Sequence, residues 1–77
     1  MSEQIKIIEI ISKQLRAEAD QITPGTGIME DLGADSLDIV ELLITIEDEF
    51  NIKVPDEDVP NLKTVGDIIG YVESHKA

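Results

Sequence analysis

The sequence predicts an all-α fold, a small bundle of three main helices with a short helix between the second and the third. Three observations predict it. Apolar residues recur at helical spacing in three segments, residues that end helices separate those segments, and no segment alternates as a strand does. With 77 residues and no interdomain linker, we expect a single domain spanning residues 1–77.

The first helix is predicted from Glu3 to about Arg16. Its isoleucine-rich start would also suit a strand, but the length of the periodic segment favours a helix. A long loop follows, and its segment 23–27, TPGTG, has the composition of turns. Gly33 allows a sharp turn at the end of this loop. Apolar residues expected to face the core are Ile7, Ile8, Ile11 and Leu15 in the helix and Ile28, Met29 and Leu32 in the loop.

The second helix is predicted from Asp35 or Ser36 to about Phe50. Asp35 suits the N-cap, and Asp38 lies at the spacing of a capping box. Asn51 can end the helix in the left-handed conformation.

The remaining chain predicts at most a short helix over residues 56–62, with Pro60 near its first turn, where missing amide donors are tolerated. Thr64 and Asp67 have capping-box spacing and begin a last amphipathic helix, which ends near His75 and Lys76. Its core residues are expected to be Val65, Ile68, Ile69 and Val72.

The second helix has two apolar stripes. One is an ordinary core stripe, and the other is interleaved with or bordered by acids, so deep burial of it would be costly. We interpret this second stripe as a docking surface, although at least one of its apolar residues is expected to pack under the loop or the short helix. The core stripe contains Ile39, Leu42, Leu43, Ile46 and Phe50; the docking stripe contains Leu37, Val40 and Ile44 beside Glu41, Glu47 and Asp48; Asp38, Thr45 and Glu49 face solvent.

The net charge of −11 is concentrated between Glu30 and Asp58, where eleven acids accompany one base, Lys53. Such a surface repels nucleic acid and favours a basic protein partner, although a merely solubilising acidic face remains an alternative. The N-terminus does not resemble a signal peptide, and no apolar run reaches membrane-spanning length. The chain has no cysteine, which fits a reducing compartment, and we expect a cytoplasmic protein.

Ser36 has three conceivable roles. A nucleophile needs a nearby base, but the single histidine is His75 near the C-terminus and no Gly-x-Ser-x-Gly motif occurs, so we expect no catalytic residue and no enzyme. Ser36 can instead help to start the helix. It can also be an attachment point for a phosphate ester, which the positive end of a helix favours. The residues alone leave these last two roles open.

The segment EDLGADSLDIVELL, residues 30–43, resembles the prosthetic-group motif of acyl carrier proteins, with Asp35-Ser36-Leu37 at its centre. The resemblance extends over essentially the whole chain and includes VPDED at residues 54–58 and KTVGDIIGYV at residues 63–72. It implies a four-helix bundle in which Ser36 carries 4′-phosphopantetheine, transferred from coenzyme A by a phosphopantetheinyl transferase, also called holo-acyl-carrier-protein synthase. Acyl intermediates would be held as thioesters on the thiol of the arm, which fits a chain without cysteine.

The resemblance also implies a partner surface, read by basic docking patches on fatty-acid synthase enzymes, and an acyl chain enclosed between the helices. The matching surface residues are Asp35, Leu37, Asp38, Val40, Glu41, Ile44, Glu47 and Asp48. The residues expected to line the acyl chain are Ile46, Leu62, Ile68 and Tyr71, for which plain core packing is an equal alternative.

We therefore expect a monomeric, freestanding carrier of a dissociated fatty-acid synthase, because the chain has its own start methionine and no flanking linker. A carrier for polyketide or other specialised pathways is the nearest rival. An acidic helical interaction module, in which Ser36 is only a cap, is a rival of another class. No specific metal site is expected, only weak divalent binding at Glu30, Asp31, Asp35 and Asp38.

Overall fold

The computed structural model describes residues 2–75 and the side chains of residues 3–75, so the predicted continuation of the last helix to Lys76 lies outside the described residues. The predicted fold class is confirmed, and residues 2–75 contain no β-strand. The α-helices are α1 (Ser2–Leu15), α2 (Ser36–Phe50) and α3 (Val65–His75); the 3₁₀ helices are η1 (Ala19–Gln21) and η2 (Asp56–Asn61). The sequence did not predict η1, a single turn inside the long loop.

The core lies between the three α-helices, with α1 packed against both α2 and α3. The predicted core face of each α-helix is confirmed, with Ile8, Leu15 and Phe50 partly buried at the edges. The residues most completely buried are Ile7 and Ile11 of α1, Ile28 of the loop, Leu42 and Ile46 of α2, and Val65, Ile68 and Val72 of α3. Burial of these branched apolar side chains is the main favourable term in folding.

Backbone hydrogen bonds join the loop between η1 and α2 to the start of α3. We call this contact between residues 24–28 and 63–66 the seam. Gly27 and Thr64 form an isolated antiparallel bridge at its centre. The seam bonds run from Gly66 N–H to the Pro24 carbonyl (2.7 Å), from Val65 N–H to the Thr26 carbonyl (2.9 Å) and from Ile28 N–H to the Lys63 carbonyl (2.9 Å).

The seam decides which loop side chains face inward. Ile28 is fully buried and Leu32 is partly buried against the core, as predicted, but the expectation for Met29 is wrong because its side chain is 54% exposed. The backbone bond of Ile28 fixes that side chain toward the core, and Met29 lies on the outer side of the turn that follows.

Helix ends follow local backbone rules. Asn51 closes α2 with φ 57° and ψ 48°, as predicted, and Gly33 has φ 72° in the turn before α2. Arg16 also has a positive φ, of 57°, and α1 therefore ends one residue earlier than predicted.

The prediction that Pro60 lies near the first turn of the short helix is wrong. Pro60 is the fifth of the six residues of η2. Proline has no N–H and disrupts an α-helix at such a position, whereas a short 3₁₀ helix loses a single bond there. The segment is accordingly a 3₁₀ helix and not a turn of α-helix.

The predicted capping box at the start of α3 is confirmed. Asp67 N–H donates to Thr64 Oγ1 (3.1 Å), while Asp67 Oδ2 accepts from the N–H groups of Thr64 and Lys63, each at 3.1 Å. The backbone hydrogen bond from Thr64, followed by that from Lys63, holds the pKa of the Asp67 carboxyl below its ordinary value.

Gly66→Ala is expected to destabilise the protein by about 1–3 kcal/mol. A Cβ at residue 66 would lie 2.8 Å from the Pro24 carbonyl oxygen, a backbone atom held by the seam. Gly70→Ala in the same helix is the matched control, because a Cβ there meets nothing within 4 Å, and a gain of about 0.5–1 kcal/mol is expected. Urea unfolding measures both, and equal effects would contradict the role of the close contact.

Asp67→Asn is expected to make the acid limb of the stability profile shallower. Because the pKa of Asp67 is lower in the folded state than its ordinary 3.8, its ionised form stabilises the fold above that pH. This contribution disappears as the pH falls through the folded-state pKa. The stability advantage of the wild type over Asp67→Asn, measured by urea unfolding at about pH 6 and about pH 3, should therefore shrink at the lower pH. A constant difference would show that the carboxylate charge is irrelevant.

Candidate functional site

The start of α2 is organised by two aspartates. Asp38 N–H donates to Asp35 Oδ1 (2.9 Å), and Asp35 N–H donates to Asp38 Oδ2 (3.2 Å), which completes the predicted capping box. Ile39 N–H donates to the Asp35 carbonyl (3.0 Å). Asp35 is therefore the N-cap, and Ser36 is the first residue of the helix.

The Ser36 side chain makes no hydrogen bond that stabilises the fold among the described residues. This side chain is exposed, and within residues 2–75 its hydroxyl has no hydrogen-bond partner. Since Asp35 and Asp38 already satisfy the helix start, the interpretation of Ser36 as a mere cap loses its basis. The single histidine is not placed to act as its base, because His75 lies at the opposite end of α3 from the residues that neighbour Ser36, about 15 Å along the helix axis.

Ser36 borders a cavity of about 560 Å³ between the start of α2, η2 and the end of the long loop. The walls are largely apolar, and their polar residues include Glu30, Lys63 and Thr64. The cavity is lined by Gly27, Met29, Glu30, Ser36, Ile39, Val40, Val59, Pro60, Leu62, Lys63 and Thr64. A cavity of this size with an exposed hydroxyl at its border suits a flexible, mainly apolar group attached to that hydroxyl.

Of the four residues predicted to line an acyl chain, Leu62 lines this cavity. Ile46 and Ile68 lie in the core between the helices. Tyr71 is half-buried on α3 and reaches toward η2 with its hydroxyl. Met29, Val59 and Pro60 also line the cavity and were not among the predicted lining residues. The sequence signal for them was their position, because Met29 lies in the loop before Ser36, and Val59 and Pro60 shortly precede Leu62.

The outer surface of α2 carries the predicted second apolar stripe. Leu37, Val40 and Ile44 are 64%, 46% and 57% exposed. The expectation that at least one of them packs under the loop or the short helix is wrong, because an open cavity separates α2 from η2 and Val40 lines it while remaining exposed. The three side chains form an apolar strip that begins beside Ser36.

The five carboxylates predicted for the partner surface differ in their local contacts. Glu41 and Asp48 are exposed, and their carboxylates have no partner among the described residues. Glu47 is half-buried and accepts a hydrogen bond from Val54 N–H (2.7 Å), which ties the chain after α2 to the helix. The remaining two, Asp35 and Asp38, form the capping box.

The structure gives no support to divalent binding at Glu30, Asp31, Asp35 and Asp38. Within residues 2–75, no group of three or more histidine, cysteine, aspartate or glutamate side chains is arranged to hold a metal ion. Asp31 Oδ2 instead accepts from Gly27 N–H (2.7 Å) and stabilises the turn that leads into α2. No helix in the described part of the chain is long and apolar enough to span a bilayer.

Residues 6–72 match the family model described as the phosphopantetheine attachment site. The acyl carrier protein of Syntrophobacter fumaroxidans (strain DSM 10017 / MPOB) is 46% identical over 96% of this chain and 91% of the relative. That of Clostridium perfringens (strain SM101 / Type A) is 47% identical over 91% and 92%. The solved structure of the acyl carrier protein from Enterococcus faecalis superposes with a TM-score of 0.85 at 37% identity, covering 97% of this chain and 95% of that one.

The matched region includes the whole of α2 and the cavity, and the exposed Ser36 hydroxyl fits a family defined by a covalently attached phosphopantetheine. The chain therefore belongs to the acyl carrier protein family, whose members are carriers with a phosphopantetheine cofactor and not enzymes.

Proposed function

We propose that Ser36 is the attachment residue for 4′-phosphopantetheine and that the chain carries acyl intermediates of fatty-acid biosynthesis between enzymes. The observation that supports this most directly is the exposed Ser36 hydroxyl, free of any capping role, at the border of an apolar cavity. When attached, the arm supplies the terminal thiol that holds acyl groups as thioesters. The residues of this chain position that arm and protect the attached acyl group from solvent.

The cavity provides this protection. Ile39 and Val40 of α2 face Val59, Pro60 and Leu62 across it, so an acyl chain attached through Ser36 would exchange water contacts for apolar ones. The cavity volume of about 560 Å³ lies in the range typical of small-ligand sites.

Ile46, Ile68 and Tyr71 do not line this cavity in the described structure. Because they do not border the cavity, we assign the lining role first to the residues that do.

The exposed face of α2 supports a docking role. Leu37, Val40 and Ile44 offer apolar contacts next to Ser36, while Glu41 and Asp48 provide free negative charge for steering a basic partner. We propose that the phosphopantetheinyl transferase and the fatty-acid enzymes bind this face through basic patches. Glu47, Asp35 and Asp38 contribute charge to the face while their carboxylates also hold the fold.

The fatty-acid assignment rests on the relatives named acyl carrier protein and on the concentration of acids around α2. A carrier for a specialised acyl pathway has no separate observation in its favour. The expectation of a cytoplasmic, monomeric carrier stays a prediction.

Incubation with coenzyme A, magnesium and a broad-specificity phosphopantetheinyl transferase is expected to add one phosphopantetheine to the wild type and none to Ser36→Ala. Intact mass spectrometry measures the addition. Ser74→Ala, which removes another exposed serine hydroxyl, is the matched control and should be modified like the wild type. Modification of Ser36→Ala, or none on folded wild type, would refute the assignment.

Replacing Glu41 and Asp48 together by Gln and Asn is expected to lower kcat/KM of the transferase by about tenfold at low salt. The effect should shrink as ionic strength rises, because exposed charges are screened. Glu18→Gln with Glu73→Gln removes the same charge from exposed positions outside α2 and should have little effect. Equal losses in the two double variants would show that only net charge matters and would contradict a localised docking face.

A further inference from the structure

The outer wall of the cavity is weakly packed. The 3₁₀ helix η2 contributes Val59 and Pro60 to the cavity, yet none of its six residues is buried. Pro60 also offers no N–H for a hydrogen bond. A segment with few buried contacts opens at a low free-energy cost, so any side-chain bond that fixes it has a large local effect.

Tyr71 supplies such a bond from α3. Its hydroxyl donates to Asp58 Oδ2 at 2.9 Å and lies 3.3 Å from the Lys53 carbonyl oxygen. Because a hydroxyl has one proton and the carboxylate is charged and closer, Asp58 is the main acceptor. Tyr71 therefore connects α3 both to η2 and to the chain that leads into it.

Two further contacts keep the Tyr71 hydroxyl in place as a donor. The ring stacks on His75, with centroids 4.0 Å apart and planes 10° from parallel, and His75 Nδ1 lies 2.9 Å from the Tyr71 carbonyl oxygen. Desolvation, followed by the bond to Asp58, raises the pKa of the Tyr71 hydroxyl above its ordinary value, so the proton is present at neutral pH.

The hydrogen bond from Tyr71 fixes Asp58, which belongs to the η2 segment that forms part of the cavity wall. Asp58 N–H donates to the Pro55 carbonyl (2.9 Å), and Leu62 N–H donates to the Val59 carbonyl (3.0 Å). Asp58 precedes Val59, a lining residue, so its position sets the position of the wall.

We propose that Tyr71 and Asp58 are positioning residues that hold η2 against α3 and thereby limit the exposure to solvent of an acyl chain in the cavity. Retention of an acyl chain rests on the function proposed above, whereas the fixing of η2 does not. Tyr71 does not line the cavity. It thus affects the acyl chain indirectly, through its hydrogen bond to Asp58 of η2.

The first experiment uses the protein without its prosthetic group. Tyr71→Phe removes the hydroxyl and keeps the ring, and amide hydrogen exchange over residues 56–62 is expected to accelerate roughly fivefold or more. The seam amides of Ile28 and Val65 should keep their wild-type exchange, which separates a local effect from general destabilisation. Unchanged exchange over residues 56–62, or equal acceleration at the seam, overturns the proposal.

Asp58 variants test whether the two side chains act as a pair. Asp58→Ala should accelerate exchange as much as Tyr71→Phe does, and the double variant should add nothing further. Asp58→Asn keeps an oxygen that can accept from the Tyr71 hydroxyl and is expected to restore most of the protection. Additive effects of Tyr71→Phe and Asp58→Ala would show that the residues act independently.

The second experiment uses the protein with phosphopantetheine attached at Ser36 and either a long saturated acyl group or an acetyl group on the thiol of the arm. Hydroxylamine cleaves the thioester, and free thiol is measured over time. Tyr71→Phe is expected to accelerate cleavage of the long-chain thioester at least threefold and to leave the acetyl form unchanged. A change equal for both chain lengths, or none for either, overturns the role in chain retention.

The two experiments test separate parts of the proposal, so that one part can be refuted without the other. If no arm can be attached at Ser36, the proposed function and the role in acyl retention are both refuted, while the exchange data on the unmodified protein still decide whether Tyr71 and Asp58 hold η2.

Discussion

The seam between residues 24–28 and 63–66 is the constraint on which the site depends. It places Gly66 N 2.7 Å from the Pro24 carbonyl oxygen, where a Cβ at residue 66 would come within 2.8 Å of that oxygen, and it holds Ile28 in the core. One segment of the seam, residues 24–28, is followed by the end of the loop and by α2. The other segment, residues 63–66, contains the start of α3. The starts of both helices consequently border one cavity, and Ser36 is placed at its edge.

Carboxylates carry out two different tasks in this acidic chain. Asp31, Asp35, Asp38 and Asp67 accept backbone hydrogen bonds at turns and helix starts, and Glu47 does so for Val54. Only part of the charge around α2 is therefore free of structural contacts, and the number of acids in the sequence overstates the charge available to the proposed docking surface. The same division of tasks frees Ser36, since two aspartates complete the helix start without it.

Features governed by local rules could be predicted from the sequence. Both capping boxes, the left-handed Asn51 and the buried face of α2 follow from residue types at fixed spacings. The cavity could not be predicted in the same way, because its lining depends on how far η2 stands from α2. Leu62, one of the four residues predicted to line an acyl chain, borders the cavity, whereas Tyr71 does not, and Met29, which was expected to face the core, lines the cavity instead. The bond between Glu47 and Val54 depends likewise on a chain reversal that no spacing rule describes.

The distribution of burial separates the core of this chain of 77 residues from the wall of the cavity. The fully buried side chains belong to the three α-helices and the seam, and η2 contributes none. Displacing η2 would therefore break the Tyr71–Asp58 bond and expose Val59, while the contacts of α1 with α2 and α3 stay intact. Local opening of the cavity is in this way separated from global unfolding, because the two processes break different sets of contacts.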